Sequence, residues 1–125
     1  MGTLSAELLD SNVVIDFLNK VRPARATMHQ TFNPSVSIAT WIEVLAGTHT
    51  PAQEHAARRL LGRMRVIPLS SGVAEQAIHL RRERRLKLPD AVIWATALTY
   101  DLVLVTRNSK DFPADDPSIR IPYQL

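Results

Sequence analysis

Cysteine is missing from all 125 residues. That excludes disulfides, a thiol nucleophile and a thiolate zinc centre, and it fits a reducing compartment. Glycine is scarce: Gly2, Gly47, Gly62 and Gly72 are the whole supply. None is grouped into a phosphate-cradling loop, so neither a dinucleotide fingerprint nor a P-loop is present. No serine stands in a glycine-flanked elbow. The four histidines, His29, His49, His55 and His79, include no pair at the i, i+4 spacing of a helical zinc site. No apolar run approaches the 18 or so residues of a membrane span. Met1 to Asp10 carries acids and no basic leader region, so it does not read as a signal peptide. A cytoplasmic protein with no membrane attachment is expected.

What remains is an ordinary globular composition, 46% hydrophobic and 22% charged, in a length that suits one domain over residues 1–125. A chain this long buries roughly two thirds of the surface it exposes when unfolded and needs no staple. The net charge is +3, but its distribution says more than its sum. Arg81, Arg82, Arg84, Arg85 and Lys87 crowd one stretch, and Arg58, Arg59, Arg63 and Arg65 another. Several acids, by contrast, sit inside apolar segments. Basic clusters combined with acids held in apolar settings suggest a polyanionic partner and a cation site, although either cluster alone also fits a solvated helix face.

Along the chain, short apolar runs alternate with longer amphipathic ones. Strands are expected at Glu7 to Asp10, Val36 to Ala39, Val66 to Leu69 and Leu102 to Val105, with a possible last strand at Ile119 and Ile121. Pro68 puts the third of these at a sheet edge or at a strand end. Helices are expected from Val13 to Leu18, Val21 to Phe32, Thr40 to Gly47, Pro51 to Gly62, and from Ser70–Gly72 until Pro89 stops the chain. A further helix opens at Asp90 and is apolar nearly all round, so it should be buried. The continuous apolar run Leu102-Val103-Leu104-Val105 is typical of the centre of a parallel sheet. The alternation implies an α/β, three-layer fold with a mainly parallel central sheet flanked by helices.

The placement of acids is the informative feature. Asp10 ends the first strand, Glu43 lies about a turn after the second, Asp90 opens the buried helix, and Asp111 follows the apolar strand with Asn108 in between. Ligands of parallel sheets bind outside the carboxyl ends of the strands. Carboxylates gathered there repel one another unless some protonate or a cation sits among them. Oxygen-only ligands favour Mg²⁺ or Mn²⁺. Each acid also has a plainer explanation. Asp10 caps the following helix, Glu43 completes a capping box with Thr40, Asp90 caps its helix after Pro89, Asp111 serves a turn, and Asp16 is an exposed helix acid. Separate caps do not explain why acids recur at one sheet edge.

Four motifs in order carry a resemblance over nearly the whole chain. Leu8-Leu9-Asp10-Ser11-Asn12-Val13-Val14-Ile15-Asp16 resembles the opening motif of PIN-domain nucleases, and within them the VapC-type toxins. Ser37 to Gly47, Leu88 to Ala97 and Leu104 to Phe112 resemble the second, third and fourth motifs. The resemblance implies that Asp10, Glu43 and Asp90 are metal-binding, catalytic acids and points to Asp111 as the fourth, with Asn108 as a neutral ligand or support. Asn12 and Thr106, with Asn108, fall on supporting positions.

It further implies a Mg²⁺-dependent endoribonuclease (Mn²⁺ substituting), acting on structured RNA such as tRNA or rRNA. The family likeness also brings a homodimer and a cognate antitoxin that blocks the site. Arg81, Arg82, Arg84, Arg85 and Lys87 are placed to hold RNA backbone near Asp90. Two other classes stand beside this reading. One is a non-catalytic PIN-like module that binds RNA or protein. The other is a phosphoacceptor domain, which would want a second acid next to Asp10 and an acceptor aspartate after Val66 to Leu69, where serines stand instead.

Overall fold

The computed structural model describes residues 6–125. The start of the chain, read above as lacking a basic leader, falls partly on residues 1–5, outside that range. Five strands form one sheet in the order β3-β2-β1-β4-β5, every pair parallel. They are β1 (Glu7–Leu9), β2 (Ser35–Ser37), β3 (Arg65–Ile67), β4 (Val103–Val105) and β5 (Ile119–Arg120). The helices are α1 (Ser11–Leu18), α2 (Arg22–Gln30), α3 (Ile38–Ala46), α4 (Pro51–Leu61), α5 (Ser71–Arg84) and α6 (Leu88–Thr99). The possible last strand is real, and Pro68 follows the end of β3, which is an edge strand.

The three layers follow from the period of two along each strand. Leu8 and Leu104 face one side and join α5, α6 and Phe112 in one core. Leu9 and Val105, their neighbours in sequence, face the other side and join Val13, Val14, Val36, Val44, Ala57 and Leu61. The α6 segment is buried from Ala91 to Ala97, as its all-round apolar surface requires. At its centre Trp94 meets Phe112 edge-to-face, ring centroids 5.6 Å apart.

Two helix starts differ from the sequence expectation. Strand β2 stops at Ser37, whose side chain accepts a hydrogen bond from the Ala39 amide at 3.0 Å and caps α3. Thr40 is therefore inside the helix and fully buried, and the capping box with Glu43 does not exist. Helix α5 ends before Pro89, at Arg84, because Arg85 takes a left-handed conformation with φ 55°. Pro89 instead lies in the first turn of α6, whose N-cap is Lys87, and Asp90 is a first-turn acid rather than the cap. No helix among the described residues is long and apolar enough to cross a membrane.

Candidate active site

The chain runs from β1 outward to β2 and β3, then returns to place β4 on the other flank of β1. The carboxyl ends of β1 and β4 thus mark the switch point, where parallel α/β sheets open a crevice. Asp10 leaves β1 there and Thr106 leaves β4 there. The Asp10 amide is bonded to the Val105 carbonyl at 2.9 Å, so the two chain exits are fixed to each other.

Asp10 is 4% exposed. It does cap α1, accepting from the Ser11 amide at 2.7 Å. Its other oxygen accepts from the Thr106 hydroxyl at 2.7 Å and the Asn12 side-chain amide at 3.2 Å. Asn12 also donates to Thr106 Oγ1 at 3.2 Å. Asn12 and Thr106 thus both hydrogen-bond the same carboxylate oxygen and each other. Even so, burial pushes the Asp10 carboxyl up to about 6. The hydrogen bonds from Thr106 and Ser11 oppose this, and the charges of Asp90 and Glu43 add to it.

Glu43 reaches the site from α3. Ser11 Oγ lies 2.6 Å from Glu43 Oε1 and 3.0 Å from Thr40 Oγ1, so one hydroxyl ties the start of α1 to α3. Ser11 does not stand out in the sequence, and Thr40 stands out only as a helix start and capping-box residue. Ser11 could have been found as the polar residue between two motif positions, Asp10 and Asn12.

Asp90 arrives from the first turn of α6, partly buried. Its carboxyl is raised by burial first, then by the charges of Asp111 and Glu43, with Lys87 opposing. Asp111 and Asn108 act together. The Asn108 side-chain amide donates to Asp111 Oδ2 at 3.0 Å, and the Asp111 amide donates to Asn108 Oδ1 at 3.2 Å. Asn108 therefore braces Asp111, while its own amide donates to Thr106 Oγ1 at 3.1 Å. Phe112, fully buried against Trp94, pins this turn onto α6 and brings Asp111 towards Asp90.

All four acids thus belong to one electrostatic neighbourhood, with Glu43 and Asp111 exposed and Asp10 buried. Among the described residues no three His, Cys, Asp or Glu side chains close into a cage for an ion. The donor set nevertheless fits Mg²⁺, which keeps several waters and is commonly held by only one or two carboxylates plus a substrate phosphate. The acids lie outside the hollow at the start of α4 (His49, Glu54, His55, Arg58) and the hollow between α1, α3 and α4 (Ile15, Val44, Ala56). An open sheet edge is what a polymer backbone can reach.

Asp16 is not the exposed acid expected from sequence. It is 5% exposed, and it pairs with Arg107 and Tyr123 rather than joining the other acids. The expectation failed because its partners lie 91 and 107 residues away, beyond any local pattern.

The basic residues divide by partner. Arg84 lies over the Trp94 ring at 4.8 Å, Arg65 over Tyr100 at 5.4 Å and Arg58 over Trp41 at 5.6 Å. Arg58 also pairs with Glu54. Half of the Arg58–Arg65 cluster is therefore engaged with the protein itself. Arg81, Arg82, Arg85 and Lys87 are exposed and make no ion pair among the described residues.

Residues 8–114 match the PIN domain. The chain belongs to the PIN-domain family. It is also 32% identical over 114 residues to Ribonuclease VapC10 of Mycobacterium tuberculosis, covering 85% of each chain. A solved toxin–antitoxin complex from Klebsiella pneumoniae contains a chain 38% identical, with a TM-score of 0.89, covering 96% of this chain and 100% of that one. FitAcB from Neisseria gonorrhoeae superposes with a TM-score of 0.78 over 94% of this chain and 99% of that one, at 23% identity. At that identity the likeness speaks for the fold alone. The three-layer α/β arrangement with its parallel sheet agrees with the expectation from sequence.

Proposed function

We propose that this PIN-domain chain is a Mg²⁺-dependent endoribonuclease and the toxin of a type II toxin–antitoxin pair. The observation that carries the reading is the raised carboxyl of Asp10 at the switch point, with Asp90, Glu43 and Asp111 around it. Packing acids together at the switch point of the sheet is unfavourable for the bare protein, and a divalent cation reverses the sign of that cost. The similarity to Ribonuclease VapC10 and to a chain of a toxin–antitoxin complex supports the substrate class and an antitoxin partner.

Asp10, Glu43, Asp90 and Asp111 are the residues that hold Mg²⁺ in this reading, with Mn²⁺ as a substitute. Bound there, Mg²⁺ supplies positive charge that neutralises the scissile phosphate and makes water easier to deprotonate. Thr106 and Asn12 keep the Asp10 carboxylate aimed, and Asn108 does the same for Asp111. Hydrolysis by water leaves 5′-phosphate and 3′-hydroxyl ends. The substrate is structured RNA of the tRNA or rRNA class, and the chain acts as a homodimer in the cytoplasm. Incubating the purified, partner-free protein with total cellular RNA tests the core of this. Discrete cleavage in Mg²⁺ and none in EDTA is expected. Equal cleavage in both would overturn metal dependence.

Arg81, Arg82, Arg85 and Lys87 hold RNA backbone near Asp90, with Arg84 contributing from its place over Trp94. Each phosphate contact releases counterion, so the replacement of Arg81 and Arg82 by alanine should lower the slope of log affinity against log salt by about 1.4 on single-stranded parts of the RNA and about 1.8 on duplex parts. An unchanged slope would remove these two residues from the interface.

One observation favours a second reading, a PIN-like module that binds RNA or protein without cleaving. It is the lack, among the described residues, of three acids close enough to cage an ion. Mn²⁺ titration separates the two readings, since the non-catalytic module would bind no metal.

A further inference from the structure

Asp16 is buried in α1, yet its side chain is held from elsewhere in the chain, by Arg107 and Tyr123. Its two oxygens accept from Arg107 Nε at 2.5 Å and Nη2 at 3.2 Å, a two-pronged pair. The Tyr123 hydroxyl donates to it at 2.8 Å. Arg107 stands between Thr106, which donates to Asp10, and Asn108, which braces Asp111. We propose that Asp16, Arg107 and Tyr123 form a positioning clamp that fixes the Thr106–Phe112 turn, and with it Asn108 and Asp111, against Asp10.

The turn has no regular secondary structure of its own to hold it. It is gripped from three directions instead. Asn12 and Asp16 are four residues apart and so share one face of α1. The first accepts from the Arg107 amide at 3.3 Å, and the second takes the guanidinium. The C-terminal segment closes the opposite side, with Tyr123 on Asp16 and the Gln124 side-chain amide donating to Ser109 Oγ at 3.2 Å. Phe112 anchors the far end of the turn in the core. The pair is half-buried, with Asp16 inside and Arg107 partly in solvent. Such a pair is a poor source of stability, because desolvation and screening offset much of its attraction. Its strength is geometric, since a planar guanidinium gripping both oxygens fixes orientation in a way that a single contact does not. Here that geometry is spent on the one segment that carries the fourth acid.

As far as it concerns catalysis, the inference rests on the nuclease reading. The placement of the turn is testable without it. Arg107→Lys keeps the charge but cannot make the two-pronged pair, and Tyr123→Phe removes one hydroxyl and leaves the pair intact. Amide exchange, Mn²⁺ affinity and RNA cleavage would be measured on the full chain for both variants. For Arg107→Lys, exchange of the Arg107 and Asp111 amides should quicken at least tenfold while the amides of β1 and β4 stay protected. Mn²⁺ affinity should fall about tenfold and kcat by about 10- to 100-fold, with KM changed far less, the size typical of residues that orient metal ligands. Tyr123→Phe should move each quantity in the same direction by less.

Unchanged protection of the turn in Arg107→Lys overturns the clamp whatever the activity does. Faster exchange with kcat and Mn²⁺ affinity intact overturns its positioning role. A wild-type chain that neither binds Mn²⁺ nor cleaves RNA would remove the nuclease reading, and exchange alone would then decide the clamp.

Discussion

Asp90→Asn is expected to lower RNA cleavage by roughly 10³-fold, about 4 kcal/mol in the barrier, while the protein melts no lower than the wild type. Both halves follow from its surroundings. Among the described residues the Asp90 carboxylate accepts no hydrogen bond, so the amide breaks nothing inside the fold. Helix α6 loses a favourable first-turn charge worth about 0.3–1 kcal/mol, and relief from Asp111 and Glu43 offsets it. In the proposed reading the loss of activity is large because the substitution removes a charge from a group that would hold the cation. Residues that only orient such ligands account for about 10- to 100-fold, and Thr106→Val, which deletes the hydroxyl aimed at Asp10, should fall in that range. Cleavage by Asp90→Asn within tenfold of wild type would show that Asp90 is not in the catalytic set. A parallel loss of melting temperature would show that the fold, not the chemistry, had failed.

The frame of this site was legible in the sequence, and its bracing was not. The continuous apolar run at Leu104–Val105 could only lie inside a sheet covered on both faces, and the all-round apolar helix after Asp90 could only lie under it. Those two segments point to the layers, while the edge comes from the acids that follow the strands, which Asp90 can join only if its helix starts there. Helix starts were harder, because several residues near each start can cap. Ser37 and Thr40 are both good caps, and the choice fell to Ser37 because Thr40 is needed inside the fold beside Ser11. Pro89 reads as a stop, but it lies in the first turn of α6, and Arg85 has already ended α5 by turning left-handed. The Asp16–Arg107–Tyr123 cluster left no local trace at all. Its members come from α1, the β4 turn and the C-terminal segment, and only folding shows that an acid one turn beyond Asn12 is buried against a guanidinium.

The same cost that marks the site should be visible in the stability of the metal-free protein. The Asp10 carboxyl rises from 3.8 to about 6 on folding. Below 3.8 it is protonated in both states and burial costs nothing through this route. Between 3.8 and 6 the folded state holds more protons than the unfolded one, so stability falls as pH rises through that window. The full loss, reached above 6, is about 3 kcal/mol, or roughly 10 °C in melting temperature for a domain of this size. Asp90, raised for related reasons, adds in the same direction. Asp116, lowered by its bonds from Ser118, acts the other way, but only as pH falls below 3.8.

Other groups titrate between pH 4 and 7, so the difference between wild type and Asp10→Asn isolates the effect. The amide cannot accept all of the bonds from Ser11, Thr106 and Asn12, which sets a pH-independent offset between the two proteins. On top of it, the gap between them should move by about 3 kcal/mol in favour of the variant from pH 4 to pH 7 without divalent ions. Adding Mg²⁺ at pH 7 should then move the gap back. A ligand at a hundred times its Kd stabilises by about 2.7 kcal/mol, and only the wild type keeps the buried charge that Mg²⁺ would meet. Melting curves for both proteins at pH 4, 5, 6 and 7, with and without Mg²⁺, carry the test. A gap that stays flat with pH would mean that Asp10 is not held in an unfavourable charge state. A gap that moves with pH but ignores Mg²⁺ would keep the buried acid and reject the ion.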